Sequence, residues 1–142
     1  MIKFDGCYIE EPVVLIDERD KDNTHAFAFV AYVFYEDNIL VMRTKSSTLN
    51  ELLDFEKSEF DTGDIKYQKL YNIKNNLIHI PARKSYQKDR SLTIVSTDEL
   101  YNKGSKKSLT FVSWKELEDY NGKFLFAMLK DMDTDKLETK FV

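Results

Sequence analysis

The residues of this chain able to carry chemistry are few and far apart. Two histidines, His25 and His79, and one cysteine, Cys7, make up the soft-ligand inventory. A structural zinc or a Cys–His nucleophile pair needs such side chains at close, recurrent spacing or beside a positioned carboxylate. Here each stands alone, and the two histidines fall on separate strand edges. Cys7 reads as a small buried hydrophobe. The acidic run "DMDTDKLE" (131–138) places Asp131, Asp133 and Asp135 at the first three positions of an EF-hand calcium loop. However, Lys136 occupies the position that needs glycine, and Val142 the position that needs a bidentate glutamate. It therefore reads as a solvated acidic tail. No G-x-S-x-G nucleophile elbow, phosphate-cradling loop or spaced acid/base pair is found. The expectation is a protein that is not an enzyme, with no cofactor and no metal site.

Charge is the more informative signal. The net charge of −4 is unevenly spread: residues 1–64 hold 15 acids and 6 bases, whereas residues 65–142 hold 15 bases and 10 acids. The bases of the second half gather in two clusters, Arg83, Lys84, Lys88 and Arg90, then Lys103, Lys106 and Lys107. If the two halves lie at opposite ends, the molecule has a dipole that steers a charged partner, and these seven residues are the candidate partner-binding surface. The acidic stretch "DERDKD" (17–22) is a further candidate contact. A pair of solvated lysine-rich loops explains the same residues more plainly. With a pI near 5.3, nucleic acid is not an expected partner.

The chain's 142 residues suit one domain with one core, and its 42% apolar, 13% aromatic and 32% charged content is that of a folded globule. One cysteine excludes an internal disulfide. No apolar run reaches the length of a membrane span, and "MIKFDGCYIE" has no apolar signal region. The expected address is the cytoplasm if Met1 is the native start, and export with a removed leader otherwise.

The elements that position these residues read mostly as strands. "KFDGCYI" (3–9) is a first strand, with Phe4 and Tyr8 available to plug one end of a core. "HAFAFVAYVFY" (25–35) is apolar on both faces: Phe27, Phe29, Ala31, Val33 and Tyr35 on one, Ala28, Val30, Tyr32 and Phe34 on the other. Such a strand needs cover on both sides. "ILVMR" (39–43) is its antiparallel partner across Asp37-Asn38. Thr48 and Glu51 fit a capping box for a short helix over 48–57. "DIKYQKLYNI" (64–73) alternates, Asn75-Asn76 suits a tight turn, and "LIHIPAR" (77–83), "SLTIVS" (91–96) and "SLTFVSW" (108–114) follow. Ser113 and Glu116 form a second capping box opening "WKELEDY". Residues 123–132 fit a strand slightly better than a helix, and "KLETKFV" either closes the barrel or frays. Seven short strands on short connections predict a mainly β fold: an antiparallel up-and-down β-barrel with one or two short helices.

The order Phe4-x-Gly6-x-Tyr8, an aromatic strand ending in "YEDN", the hairpin pattern Tyr71, Ile73, Asn76, Ile78 and Ile80, and "LTIVSTDEL" together resemble the small bacterial lipocalin-like proteins of the calycin type over roughly residues 3–113. The chain departs from them in having Tyr8 where tryptophan is frequent and a long insert at 46–60. The resemblance implies that the first motif plugs the barrel floor. It also implies that Phe27, Phe29, Tyr67, Tyr71, Ile80, Leu92 and Phe111 line an interior holding a small apolar ligand, unless they simply fill it. The alternative is a protein-interaction module, of inhibitor or immunity type, acting through the uneven surface charge.

Overall fold

The computed structural model describes residues 1–16, 19, 26–48, 57–61, 68–120 and 136–141. The described strands are β1 (Gly6–Glu10), β2 (Val13–Ile16), β3 (Ala26–Phe34), β4 (Ile39–Thr48), β5 (Gln68–Leu70), β6 (Asn72–Lys74), β7 (Leu77–Ile80), β8 (Arg90–Ile94), β9 (Glu99–Asn102), β10 (Lys107–Ser113) and β11 (Thr139–Phe141). A 3-10 turn (Lys57–Phe60) and a helix, α1 (Trp114–Tyr120), lie beside them. All seven expected strands are present. β2 and β9 were not anticipated, and β11 falls in "KLETKFV", the segment weighed between closing the barrel and fraying: it forms a strand that pairs β2.

The antiparallel pairings run almost completely round a ring. β1 pairs β10 and β3; β3 pairs β4; β4 pairs β5; β6 pairs β7; and β7, β8, β9 and β10 follow in order. Tyr71 separates β5 from β6 within one extended run, so the strand passes from one neighbour to the other there. The result is a nearly closed antiparallel β-barrel. Asn75 and Asn76 both take positive φ (52° and 62°) between the paired residues Lys74 and Leu77, the geometry of a two-residue hairpin loop. Asn38, at φ 65°, does the same service between β3 and β4.

β1 and β2 are one strand bent by a bulge. Ile9 pairs Ala31 while Val13 pairs Ala28, so one extra residue is taken up around Pro12, where a missing N–H is tolerated. Beyond the bend, β2 leaves β10 and takes β11 as a parallel neighbour. The C-terminal segment thus widens the sheet beside the barrel.

The two-faced reading of β3 holds residue by residue. Its Tyr32 and Phe34 join Ile2, Tyr8, Leu40, Tyr71, Ile78, Ile80, Leu92, Leu100 and Leu109 in the barrel interior. Its Phe27, Phe29, Ala31 and Val33 belong to a second core on the outer wall, with Cys7, Ile9, Val41 and Val112. Phe60 of the 3-10 turn and Leu117 of α1 cover that wall, with Trp114 and Leu137 packed beside them. The Phe60 and Trp114 rings lie 5.9 Å apart. Helix α1 starts where expected, the Ser113 Oγ accepting the Glu116 N–H at 3.1 Å. Thr48 is the last residue of β4, and residues 49–56, expected as helix, lie outside the described residues. So do 121–135, including the segment weighed between strand and helix.

Candidate functional site

The up-and-down order sends alternate connections to opposite ends of the barrel. At one end sit Met1–Asp5 and the turns at 35–38, 75–76 and 95–98. This end is sealed by aromatic side chains. Tyr8 Oη donates to the Thr97 carbonyl at 2.7 Å and accepts the Lys3 N–H at 2.9 Å. Tyr71 Oη donates to the Tyr35 carbonyl at 2.6 Å. The Phe34 ring lies 5.7 Å from Tyr8 and 5.0 Å from Tyr71, edge-on to both, and Phe111 lies 5.1 Å from Tyr8. Tyr8 is therefore the plug anticipated from the first motif, but Phe4 is not: it is 38% exposed, and Ile2 occupies the interior instead. Gly6 is required because β1 lies so close to β10 that a Cβ there would meet the Val112 carbonyl oxygen at 2.1 Å.

The opposite end is polar and open. The connections 81–89 and 103–106 both emerge there. By register, Leu40 faces the interior and pairs Lys69, while Ile80 faces the interior and pairs Arg90. Lys69 and Arg90 therefore stand on the inward phase of their strands, where Tyr71 and Leu92 follow two residues on. Together with Ile80, Pro81, Ala82, Gln87 and Lys88 they line a half-open pocket of about 250 Å³. The Arg90 guanidinium donates to the Tyr32 hydroxyl at 3.3 Å, and Arg83 donates to the Gln68 carbonyl at 2.9 Å. The loop that forms the pocket wall is pinned by Asp89, whose carboxylate accepts the Ala82 N–H at 2.8 Å and lies 3.3 Å from His79 Nε2. Those two partners hold the Asp89 carboxyl below its ordinary range.

Three cations crowd this rim. Partial burial, and then the charges of Arg90 and Arg83, pull the Lys69 ammonium below the usual lysine range. Among the described residues, Lys69, Lys88 and Arg90 form no ion pair. The inward-facing acid at this end is Glu10, 7% exposed, whose Oε1 accepts from Asn102 at 3.1 Å and Ser105 at 2.7 Å. Burial, reinforced by Glu10 and opposed by Arg90, raises the Tyr32 phenol above its usual value.

The seven residues expected to line the interior divide. Tyr71, Ile80 and Leu92 are interior and buried, and Phe111 is half-buried against the interior cluster. Phe27 and Phe29 lie instead in the outer-wall core, because the inward phase of β3 is the one carrying Tyr32 and Phe34. Tyr67 lies outside the described residues. The basic residues converge: Arg83, Lys84 and Lys88 on one connection with Arg90 at the start of β8, and Lys103, Lys106 and Lys107 on or beside the other, share the open end. Lys107 is engaged with Glu138 at 3.1 Å, and Lys84 lies 5.7 Å from the Tyr86 ring centre. The sealed end carries Asp5, Glu36, Asp37 and Asp98, with Lys3 paired to Asp98. The open end also carries Glu10, Glu11 and Asp89, so the described bases gather there without dividing the charge of the molecule between its two ends. Of the acidic stretch at 17–22, Arg19 alone is described. His25, Asp131, Asp133 and Asp135 also lie outside the described residues. Cys7 is fully buried, and burial pushes its thiol far above the ordinary range, which leaves little thiolate for nucleophilic attack.

Lys69 was not picked out from sequence, yet its signal was there. In the alternating run 64–73, position 69 falls on the phase of Tyr67, Tyr71 and Ile73, so a cation stands where an inward apolar residue is expected. Arg90, two residues before Leu92, carries the same mark. Compared with protein-family models, curated proteins and solved structures, the chain finds no match.

Proposed function

We propose that this is a non-enzymatic binding protein, a lipocalin-like barrel that takes a small ligand at its open end. The observation that carries this reading is the 250 Å³ pocket in which the inward-facing Lys69, Ile80 and Arg90 meet the Pro81–Lys88 loop. Concave sites with an apolar wall and a few convergent polar groups are the usual form of small-molecule sites. The packed aromatics of the sealed end support a ligand seated in the mouth of the barrel, above the Arg90–Tyr32 contact. A ligand with a polar head group beside the apolar contact expected from the sequence suits that seat.

A second reading, an interaction module for an acidic protein, is favoured by the gathering of both lysine-rich connections at one end. Native mass spectrometry of the protein from its own host, beside a denatured control, separates the two. A small added mass that vanishes on unfolding supports the ligand reading. A stoichiometric acidic protein, released by salt, contradicts it in favour of the second.

A further inference from the structure

We propose that the ligand of this pocket is a small organic anion, its carboxylate or phosphate head held between Lys69 and Arg90 and its apolar body laid on Ile80, Pro81 and Ala82; this rests on the binding reading above. The two cations approach from neighbouring parts of the rim, Lys69 from β5 and Arg90 from β8, and flank the buried Ile80 of β7. Neither is neutralised by a carboxylate among the described residues. Structural cations at a barrel rim ordinarily point to solvent or pair with an acid. Here Lys69 lies on the inward phase, and Glu10, the inward acid, is already occupied by Asn102 and Ser105.

Two further features point the same way. Arg90 is oriented by Tyr32, so its planar fork is held in place before a ligand arrives. The crowding that depresses Lys69 is relieved by an anion set between it and Arg90. The volume is modest: at about 30 Å³ for each water it corresponds to roughly eight waters, which suits a short-chain acid better than a long lipid.

The test is isothermal titration calorimetry of the full chain with four probes: hexanoate, hexanol, hexylamine and inorganic phosphate. Charge-assisted hydrogen bonds predict that hexanoate binds about tenfold or more tighter than hexanol, with hexylamine weakest. Lys69→Met is expected to abolish the hexanoate preference while leaving hexanol binding in place; Lys69→Gln serves if the methionine variant does not fold. Displacement of hexanoate by inorganic phosphate assigns the head group to phosphate, and lack of displacement assigns it to carboxylate; both outcomes support the anion site. Equal binding of hexanoate and hexanol overturns the anion inference and leaves the ligand reading standing. A hexanoate preference that survives in folded Lys69→Met also overturns the inference. Failure of every probe to bind at millimolar concentration overturns both.

Discussion

Arg90 and Tyr32 touch across the lumen of the barrel. Their strands, β8 and β3, lie on opposite sides of the ring, and the guanidinium reaches the phenol at 3.3 Å over 58 residues of sequence. This contact divides the interior in two. On one side, tyrosine and phenylalanine rings fill the space and seal the end. On the other, the same wall opens into a pocket lined by cations. A lysine and an arginine on inward phases above a packed aromatic floor are what the binding mouth proposed above calls for.

Lys69→Met is expected to stabilise the protein by roughly 0.5–1 kcal/mol, because a partly buried ammonium crowded by Arg90 and Arg83 costs stability that an apolar side chain does not. The sign follows from linkage. The folded state holds Lys69 below its ordinary value through burial, Arg90 and Arg83, so between the lowered and the ordinary value the unfolded chain binds more protons. The cost of the charged amine is full at neutral pH and is relieved as pH rises through that window. Urea denaturation at neutral and alkaline pH should show the advantage of the variant shrinking with pH. A variant less stable than the parent at neutral pH would contradict this.

Four tyrosines make the fold sensitive to alkali. Burial is the main cause that raises the phenols of Tyr8, Tyr32, Tyr35 and Tyr71. Their contribution is fully present below the ordinary phenol value, near 10, and is lost as pH rises through that value towards the raised ones. A spectrophotometric titration should show a group of phenols ionising late, together with loss of tertiary structure. A single reversible step near the ordinary value, with the fold intact, would count against the sealed-end packing.

Phe29 and Phe4 give a contrast on one molecule. Phe29 is 3% exposed in the outer-wall core, and truncation to alanine should cost about 3–5 kcal/mol. Phe4 is 38% exposed, and its truncation should stay within about 0.5 kcal/mol. Thermal and chemical unfolding of the two variants measure both. A loss at Phe29 below about 1 kcal/mol would remove it from a buried wall.

Gly6→Ala should be among the most damaging single-methyl changes in the chain. The added carbon would meet backbone atoms, the Val112 carbonyl at 2.1 Å and the Ser113 Cα at 2.7 Å, which cannot rotate away as a side chain can. Overpacking of this kind costs about 1–3 kcal/mol or more. Unfolding of Gly6→Ala beside the parent provides the check, and an unchanged midpoint would contradict the close β1–β10 contact.

The barrel was legible in the sequence because most of its strands announce themselves by alternation and by asparagine turns. The two faces of β3 followed from one apolar run, down to which residue lies on which side. Alternation does not say which phase faces inward, and that is why Phe27 and Phe29 were expected in the lumen and lie outside it. β9 was hidden because "ELYN" is four residues long and embedded in polar turn residues, with Leu100 its fully buried side chain. β2 was hidden behind Pro12, which ordinarily ends a strand and here marks a bulge. β11 is exposed throughout and owes its strand form to pairing with β2. For the site, sequence located the basic clusters, but their meeting at one end depends on topology. The part played by Lys69 depends on the register that places it beside Ile80 and Arg90.

The most direct test is a nuclear magnetic resonance titration of the isotopically labelled protein with hexanoate. Saturable shifts concentrated at Lys69, Ile80, Ala82, Gln87 and Arg90 are the predicted result. Shifts confined to the Lys103–Lys107 hairpin, or no saturable shift at the pocket, would contradict the account.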